Sequence, residues 1–424
     1  MKQLLREIIT NWSNQPLPMI KPRDIDLTAF FDPTIKKIIT VVGFRRVGKT
    51  FTLLDFAQKH GQAKCVYINL EDERLPQKIE TLTNFSDSIT ELYGAKPIVL
   101  LVDEIQNIPG WSVWARRINE TTPHHLIISG SSSKLSSREL PTELRGHALT
   151  IEITTLSWRE FLHWREIDAA HTPTSHMLHS LRDFLFCGGL PEIVLAEAGL
   201  RPLLVTEYFN TFVTRDIIER YRLRNTEALR ELLGLLLNST FYTISKLTNT
   251  LKSLGHTVSK STILKYVAWL ESSFFLSPLE LWSPSIKNRR QAARKAYFID
   301  TYFPVRFGTK FSENIGHLME QAVYLEIKRR LNHEAAGEVF YWRDYQNHEV
   351  DFTIRRPVAT ELLQVNYASS VSDIAARETT SLIKASQTLG SIHRTLITWD
   401  LETTLTVEDQ TIECVPLWKW LLKK

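Results

Sequence analysis

The sequence has few cysteines, no long apolar segment and little net charge, and each shortage excludes a class of protein. The three cysteines, Cys65, Cys187 and Cys414, are odd in number and far apart, so we expect buried free thiols rather than a disulfide framework or a Cys-x-x-Cys metal pair. No stretch approaches the ~20 apolar residues that cross a bilayer, and residues 1–12 are amphipathic without the apolar core of a signal peptide. These features predict a cytoplasmic protein with no membrane partner.

The net charge of +4 is too small to attract nucleic acid by itself, so any such binding requires a local basic patch. The hydrophobic fraction of 43% and the charged fraction of 23% are ordinary for globular proteins and exclude a mainly disordered or fibrous chain. A length of 424 residues predicts two or three domains, and neither an internal repeat nor a low-complexity tract interrupts them.

The first third of the chain alternates short apolar runs with helical stretches, which is typical of a parallel sheet in an α/β fold. The predicted strands are 37–42, 64–70, 98–102, 125–129 and 148–154. Ligands bind such sheets at the carboxyl ends of the strands. The predicted domains are 1–167, an ATPase-type sheet domain; 168–237, a helical connector broken by the turn at 188–191; 238–286, winged-helix-like; and 287–424, mixed strand and helix.

A phosphate-binding motif follows the first predicted strand. Residues 43–50 fit G-x-x-x-x-G-K-[ST] and lie between the β-branched run 38–42 and a predicted helix. Backbone N–H groups of such a loop surround a phosphate, Lys49 adds a positive charge, and the hydroxyl of Thr50 holds magnesium. The residues predicted to contact nucleotide are Gly43, Phe44, Arg45, Arg46, Val47, Gly48, Lys49, Thr50 and Phe51. The side chains of Arg45 and Arg46 receive no separate role.

A second acidic motif follows the apolar run 98–102, which suits a strand covered on both faces. Such a strand would place Asp103 and Glu104 at its carboxyl end, beside the phosphate loop. We predict that Asp103 holds the magnesium shell and that Glu104 orients the attacking water. The alternative is a strand that simply ends in solvent.

Six segments together resemble a large group of bacterial and archaeal AAA-type ATPases. They are 43–50, 102–106 (VDEIQ), 129–133 (SGSSS), 144–146 (LRG), 156–161 (LSWREF) and 188–192 (GGLPE). The resemblance implies a sheet in the order 5-1-4-3-2 and a C-terminal region like a restriction endonuclease. It also implies that Ser129 and Ser131, at the end of the strand between the two motif strands, lie near the γ-phosphate; the alternative is a polar turn.

The same resemblance implies an arginine that reaches the nucleotide of a neighbouring subunit, at the end of the predicted helix 134–144. Arg145 is the candidate, with Arg138 as second choice. The alternative for Arg145 is a residue that balances the helix dipole, followed by Gly146 as the helix stop.

Residues 243–254 and 259–270 resemble a winged helix. Its second helix would expose Lys260, Ser261, Thr262 and Lys265 to a DNA groove, and a basic connector would contact phosphates through Lys287, Arg289, Arg290, Arg294 and Lys295. The alternative is a module that only packs between domains.

The last domain matches a nuclease pattern only in part. Glu320 and Asp351 match two acidic positions of restriction-endonuclease-like folds, where carboxylates hold magnesium. The next strand places Gln364 and Asn366 where that pattern needs an acid and a lysine, and Lys384 is the candidate for a displaced lysine. We therefore predict no nuclease activity. The alternative for the two acids is an ordinary helix-face glutamate and strand-end aspartate.

The leading hypothesis is an oligomeric AAA-type ATPase that uses ATP and Mg²⁺ and couples hydrolysis to a DNA-associated C-terminal half. One alternative is a slow nucleotide-gated switch or scaffold that holds a protein partner. A second alternative is an ATP-regulated nuclease.

Overall fold

A computed structural model describes residues 1–131, 144, 146–309, 314–334 and 337–423, with side chains for all of these except 333 and 334. The chain divides into two compact units, Met1–Thr154 with Ser272–Phe274, and Thr155–Glu271 with Phe275–Lys424. The first unit thus ends before the predicted boundary at residue 167. The reason is that Trp158, Phe161 and Leu162 belong to the hydrophobic core of the second unit.

The first unit is built on a five-stranded parallel sheet. Its strands are β1 (Ile38–Val42), β2 (Cys65–Asn69), β3 (Val99–Asp103), β4 (His125–Gly130) and β5 (Ala148–Glu152). The strand order is β2-β3-β4-β1-β5, which confirms the predicted order read from the opposite edge. Every residue of β1, β3 and β4 is buried, as expected of strands covered on both faces.

Helices cover this sheet and close the core of the first unit. They are α1 (Lys2–Asn14), α2 (Lys49–His60), α3 (Ile79–Tyr93) and α4 (Trp111–Thr121). Helix α1 buries Leu5 and Ile9 in that core, and the indole of Trp12 donates to the carbonyl of Cys65 over 2.8 Å. The N-terminal amphipathic pattern is therefore a packed helix of the sheet domain.

The second unit begins with helices. They are α5 (Trp158–Trp164), α6 (Thr174–Cys187), α7 (Pro191–Leu195), α8 (Arg201–Thr211), a π-helix (Phe212–Glu219) and α9 (Thr226–Leu237). The predicted break between α6 and α7 has a clear cause. Gly188 has φ +74°, and a Cβ there would lie 1.7 Å from Oδ1 of Asp300. A Cβ on Gly189 would lie 2.5 Å from the carbonyl oxygen of Leu156. Only glycines allow this approach.

A small helical and strand module follows. It comprises β6 (Phe241–Tyr242), α10 (Ile244–Ser253), α11 (Lys260–Ser272), β7 (Leu276–Leu279), α12 (Ile286–Gln291), β8 (Arg294–Phe298) and α13 (Tyr302–Phe307). The strands form an antiparallel sheet in the order β6-β8-β7. Strand β8 is therefore central in this sheet.

The C-terminal part holds a six-stranded mixed sheet. Its elements are α14 (Ile315–Glu334), β9 (Glu338–Arg343), β10 (Glu349–Arg355), β11 (Thr360–Val365), α15 (Ala376–Leu389), β12 (His393–Thr398), β13 (Thr403–Val407), β14 (Gln410–Pro416) and α16 (Leu417–Leu422). The strand order is β13-β14-β12-β11-β10-β9. The pairing of β10 with β9 shifts register between Val350 and Thr353, so Asp351 lies in an irregular stretch of strand.

Within the described residues, no helix has both the length and the apolar character that crossing a membrane requires.

Candidate nucleotide site

The phosphate loop joins β1 to α2 and depends on glycine for two reasons. Gly48 has φ +100°, a conformation that L side chains rarely adopt. Gly43 lies so close to the neighbouring backbone that a Cβ there would be 2.2 Å from the carbonyl oxygen of Ile153. Packing against the end of the sheet, as well as room for a phosphate, therefore requires glycine at residue 43.

Lys49 is the first residue of α2, where the positive end of the helix dipole favours an anion. Its ammonium donates to the carbonyls of Gly43 and Phe44, over 3.3 Å and 3.1 Å, and lies 3.6 Å from Oε1 of Glu104. Its side chain is 5% exposed. The lysine is thus held over the loop by weak partners that a phosphate could replace.

Asp103 ends β3 and accepts three hydrogen bonds. Thr50 donates over 2.6 Å, Tyr67 donates over 2.9 Å, and the hydroxyl of Ser129 donates to the other carboxylate oxygen. Burial raises the pKa of Asp103, the negative charge of Glu104 adds to the rise, and the hydroxyl donors oppose it. Burial and the charge of Asp103 also raise the pKa of Tyr67, which keeps that phenol protonated and able to donate.

Glu104 adopts a left-handed backbone conformation with φ +54°, which is costly for a residue with a Cβ and is common at functional sites. Its N–H donates to the hydroxyl of Ser129 over 3.1 Å, and its carboxylate accepts from Ser131 over 3.2 Å and from Gln106. Burial alone would raise the pKa of Glu104, but the charge of Lys49 and the donor Gln106 lower it below the usual value. A buried carboxylate therefore stays ionised beside the lysine.

These contacts join six of the predicted nucleotide-site residues in one network: Lys49, Thr50, Asp103, Glu104, Ser129 and Ser131. Arg45 pairs with Glu71 over 3.3 Å, and its positive charge also lowers the pKa of Glu104, whereas Phe51 is half exposed. Arg145 and Arg138 lie outside the described residues.

Sequence reasoning missed three residues of this site. Tyr67 lies near the end of β2, next to β3, and a polar residue at that edge was a usable signal. Gln106 lies two residues after Glu104, within a quoted motif. Arg23 carried no signal: its guanidinium donates to the carbonyls of Val47 and Thr154, over 2.8 Å and 2.9 Å, and so links the loop to the end of the sheet.

The oxygen ligands at this site fit magnesium. Thr50 and Asp103 present a hydroxyl and a carboxylate within 2.6 Å of each other, and hard oxygen ligands are those that Mg²⁺ prefers. Thr50 follows Lys49 at the N-terminus of α2, where phosphate oxygens would complete the shell.

The nuclease-like residues of the second unit also meet. Asp351 and Gln364 are neighbours, because the amide N–H of Asp351 donates to Oε1 of Gln364 over 3.1 Å. Glu320 joins them through Lys295, whose ammonium bonds to Glu320 over 2.8 Å and to Asp351 over 2.7 Å. Lys384 instead contacts Gln346 over 2.7 Å. Lys295, not the expected Lys384, is the lysine at the acidic pair.

The predicted basic connector is not one exposed surface. Lys287 and Arg290 are exposed, whereas Arg289 is half buried and Arg294 pairs with Glu280 over 3.1 Å. The prediction that Lys295 contacts nucleic-acid phosphates is wrong, because this side chain is 2% exposed and already paired. Successive side chains of a strand point to opposite faces, so Arg294 and Lys295 cannot share a surface.

A parallel sheet with a phosphate loop after its first strand and two carboxylates after its third defines a P-loop ATPase domain. The comparisons agree. A family model described as an AAA domain matches residues 35–162, and two domains of unknown function, DUF8612 and DUF4143, match residues 178–302 and 315–420.

The chain is 32% identical over 400 residues to MJ1544, an uncharacterized protein of Methanocaldococcus jannaschii, covering 91% of this chain and 88% of that one. It is 27% identical over 356 residues to an uncharacterized protein of Haemophilus influenzae, covering 82% and 86%. The solved Walker-type ATPase PABY2304 of Pyrococcus abyssi is 12% identical, with a TM-score of 0.44 and coverage of 72% and 95%. The chain belongs to the family of MJ1544, P-loop AAA-type ATPases with C-terminal domains of unknown function.

Proposed function

We propose that the first unit binds ATP with Mg²⁺ and hydrolyses it. The observation that carries this proposal is the network joining Lys49 to Glu104 and Thr50 to Asp103, since it combines a phosphate counter-charge, oxygen ligands for a metal and an ionised carboxylate. These are the groups that phosphoryl transfer to water needs.

Each residue has a separate role in the proposal. Lys49 would exchange its contacts with the carbonyls of Gly43 and Phe44 for phosphate oxygens. Thr50 and Asp103 would hold Mg²⁺, which supplies positive charge to the phosphates when bound. Glu104, kept ionised by Lys49 and Gln106, would orient the attacking water and accept its proton.

The test compares Glu104→Gln with Glu73→Gln, a change at an exposed glutamate of the same unit. We expect Glu104→Gln to bind ATP and to lose about 10²–10³-fold in turnover, since the amide cannot accept a proton. Glu73→Gln should retain full turnover. Equal hydrolysis by wild type and Glu104→Gln would exclude the role of Glu104.

We also propose that the second unit associates with DNA through helices α11 and α12. The support is a set of exposed cations on these helices, Lys260 and Lys265 on α11 and Lys287 and Arg290 on α12. Exposed cations of this kind suit phosphate contacts, whose strength falls steeply with salt.

A mobility-shift titration at low salt tests the surface. We expect duplex DNA to bind the wild type, and Lys260→Ala with Lys265→Ala to weaken binding and reduce its salt dependence. The control, Lys64→Ala with Lys96→Ala, removes two exposed lysines from the first unit and should leave binding unchanged. Equal binding by the two double variants would show that α11 is not the surface.

A slow nucleotide-gated switch is the second candidate function. The observation that favours it is the pairing of Lys49 with Glu104, which nucleotide must loosen before either group can act. We propose that Arg145 acts on the nucleotide of a neighbouring copy. The dependence of turnover on protein concentration therefore distinguishes the oligomeric ATPase from the switch. Turnover that rises steeply with protein concentration, and falls in Arg145→Ala with ATP affinity unchanged, supports the oligomeric ATPase. Slow turnover independent of concentration supports the switch.

A further inference from the structure

The second unit contains a buried cation surrounded by three acids. Lys295, in the centre of the β6-β8-β7 sheet, directs its ammonium at Oδ1 of Asp351 over 2.7 Å, Oε1 of Glu320 over 2.8 Å and Oε1 of Glu349 over 3.0 Å. The lysine side chain is 2% exposed, and the most exposed acid, Glu349, is 19% exposed. We call these four residues the Lys295 cluster.

The ammonium has no capacity left for a further ligand. A lysine ammonium carries three N–H donors, and three carboxylate oxygens lie within 3.0 Å of it. The rings of Phe241 and Tyr341 also face the ammonium, with centroids 5.5 Å and 6.0 Å away. Neither water nor a DNA phosphate can therefore engage Lys295 without breaking one of these contacts.

The acids of the cluster are themselves held in place. The phenol of Tyr297 donates to Glu320 over 2.5 Å, and the amide N–H of Val365 donates to Asp351 over 2.9 Å. The pairing of β10 with β9 is irregular at Asp351, between Val350 and Thr353. Elements far apart in sequence, β8, α14 and β10, thus meet at one cation.

We propose that the ammonium of Lys295 replaces a divalent metal ion in this acidic site, making it a metal-independent clamp that ties β8 to α14 and β10. Carboxylate oxygens around one centre are the ligands that Mg²⁺ and Mn²⁺ take in metal sites. Here the distances to the centre are those of hydrogen bonds to nitrogen, longer than metal–oxygen bonds of about 2.0–2.6 Å. Within the described part of the chain, no group of three or more His, Cys, Asp or Glu is arranged to hold a metal ion.

Geometry holds the lysine in place, because its ammonium lies within 3.0 Å of an oxygen from each of the three carboxylates. The predicted lack of nuclease activity then has a cause beyond Gln364 and Asn366: the position of the metal is filled.

The experiment measures Mn²⁺ bound per chain in the nucleotide-free full-length protein by electron paramagnetic resonance. Four variants accompany wild type: Lys295→Ala, Lys295→Ala with Asp351→Asn, Glu349→Gln, and the control Lys96→Ala at an exposed lysine of the first unit. The nucleotide site is the same in all five proteins. Any Mn²⁺ bound there therefore adds equally to each count and does not affect the differences between proteins.

We expect Lys295→Ala to bind one more Mn²⁺ per chain than wild type and to gain thermal stability from Mn²⁺. The added Asp351→Asn should remove both gains, and Lys96→Ala should match wild type. Folded Lys295→Ala that takes up no extra Mn²⁺ would overturn the proposal.

If Lys295→Ala does not fold, the Mn²⁺ content and the DNA cleavage of wild type and Glu349→Gln test the proposal instead. A Mn²⁺ ion bound by wild type and lost in Glu349→Gln, or Mn²⁺-dependent DNA cleavage by wild type that Glu349→Gln loses, would show that the cluster is a true metal site. An equal Mn²⁺ count in wild type and Glu349→Gln, with no cleavage, supports the clamp.

Discussion

Two lysines of this chain lie beside carboxylates, and their surroundings give them opposite properties. Lys49 lies 3.6 Å from one carboxylate, that of Glu104, and otherwise contacts loop carbonyls at 3.1–3.3 Å. Lys295 lies within 3.0 Å of three carboxylates. Both side chains are nearly inaccessible, so exposure does not separate them.

The number and charge of the partners make the difference. Carbonyl oxygens hold an ammonium less strongly than carboxylates do, so an incoming phosphate can displace the partners of Lys49. The three carboxylates around Lys295 can be displaced only by leaving buried charges unpaired, which is costly. A buried lysine thus serves binding when its partners are weak and serves structure when they saturate it.

The same substitution at both lysines should have very different effects on the free energy of unfolding. Methionine keeps the aliphatic stem and removes the charge. We expect Lys295→Met to lower the free energy of unfolding by about 3–5 kcal/mol, because three buried carboxylates lose their cation. Lys49→Met should cost far less, since Glu104 keeps its bonds to Ser131 and Gln106. Denaturant unfolding of both variants measures the difference, and equal losses would contradict our explanation.

Asp300, a buried carboxyl group that accepts backbone N–H bonds, offers a second contrast, through pH. Asp300 accepts N–H bonds from Gly189 over 2.7 Å and Tyr302 over 2.9 Å, and burial raises its pKa to about 7 from an ordinary 3.8. The folded chain therefore binds this proton more tightly than the unfolded chain. The stabilisation that comes from this proton is complete below about pH 4 and is lost as pH rises through 7. The free energy of unfolding changes by at most about 4 kcal/mol as a result.

Thermal melts between pH 4 and 8 check this sign. Asp300→Asn cannot titrate and should flatten the decline with rising pH, while retaining an oxygen acceptor for the N–H of Gly189. A wild-type stability that rises over this range, with no change in Asp300→Asn, would show that Asp300 is ionised in the folded chain.

ATP affinity should show the opposite pattern: a change at Lys49 should lower it, and a change in the Lys295 cluster should not. We expect Lys49→Met to weaken ATP binding by about 10- to 100-fold, the value of a charge-assisted hydrogen bond to phosphate. Glu320→Gln, which alters only the Lys295 cluster, should bind ATP as wild type does. Fluorescent-nucleotide titration of the two variants decides the point, and unchanged affinity in Lys49→Met would exclude the assigned site.

The smallest effect concerns the support of the loop. Arg23→Gln loses at least one of the two bonds from the guanidinium to the carbonyls of Val47 and Thr154. We expect the unfolding free energy to fall by about 1 kcal/mol, with a modest loss of ATP affinity as the loop becomes less ordered. Calorimetry and ATP titration measure both changes. A loss as large as that of Lys295→Met would mean that the loop depends on Arg23 for its fold.

Most of the nucleotide site could be predicted from the amino-acid sequence. The phosphate loop is one contiguous segment whose glycines and lysine have fixed backbone roles, and β3 presents Asp103 and Glu104 because parallel strands end at a common edge. These features are local or follow general rules of sheets, so they can be predicted from one chain. The strand order instead followed from the resemblance to a family, and it is confirmed.

The cation between Glu320 and Asp351 could be identified only from the tertiary structure. Glu320 and Asp351 could be picked from a pattern, but their cation comes from β8, in a run of basic residues typical of an exposed surface. Strand alternation turned Arg294 towards one face and Lys295 towards the other, and the packing of β8 against α14 and β10 made the second a buried partner. Contacts among residues that distant depend on how elements pack, which no local pattern encodes.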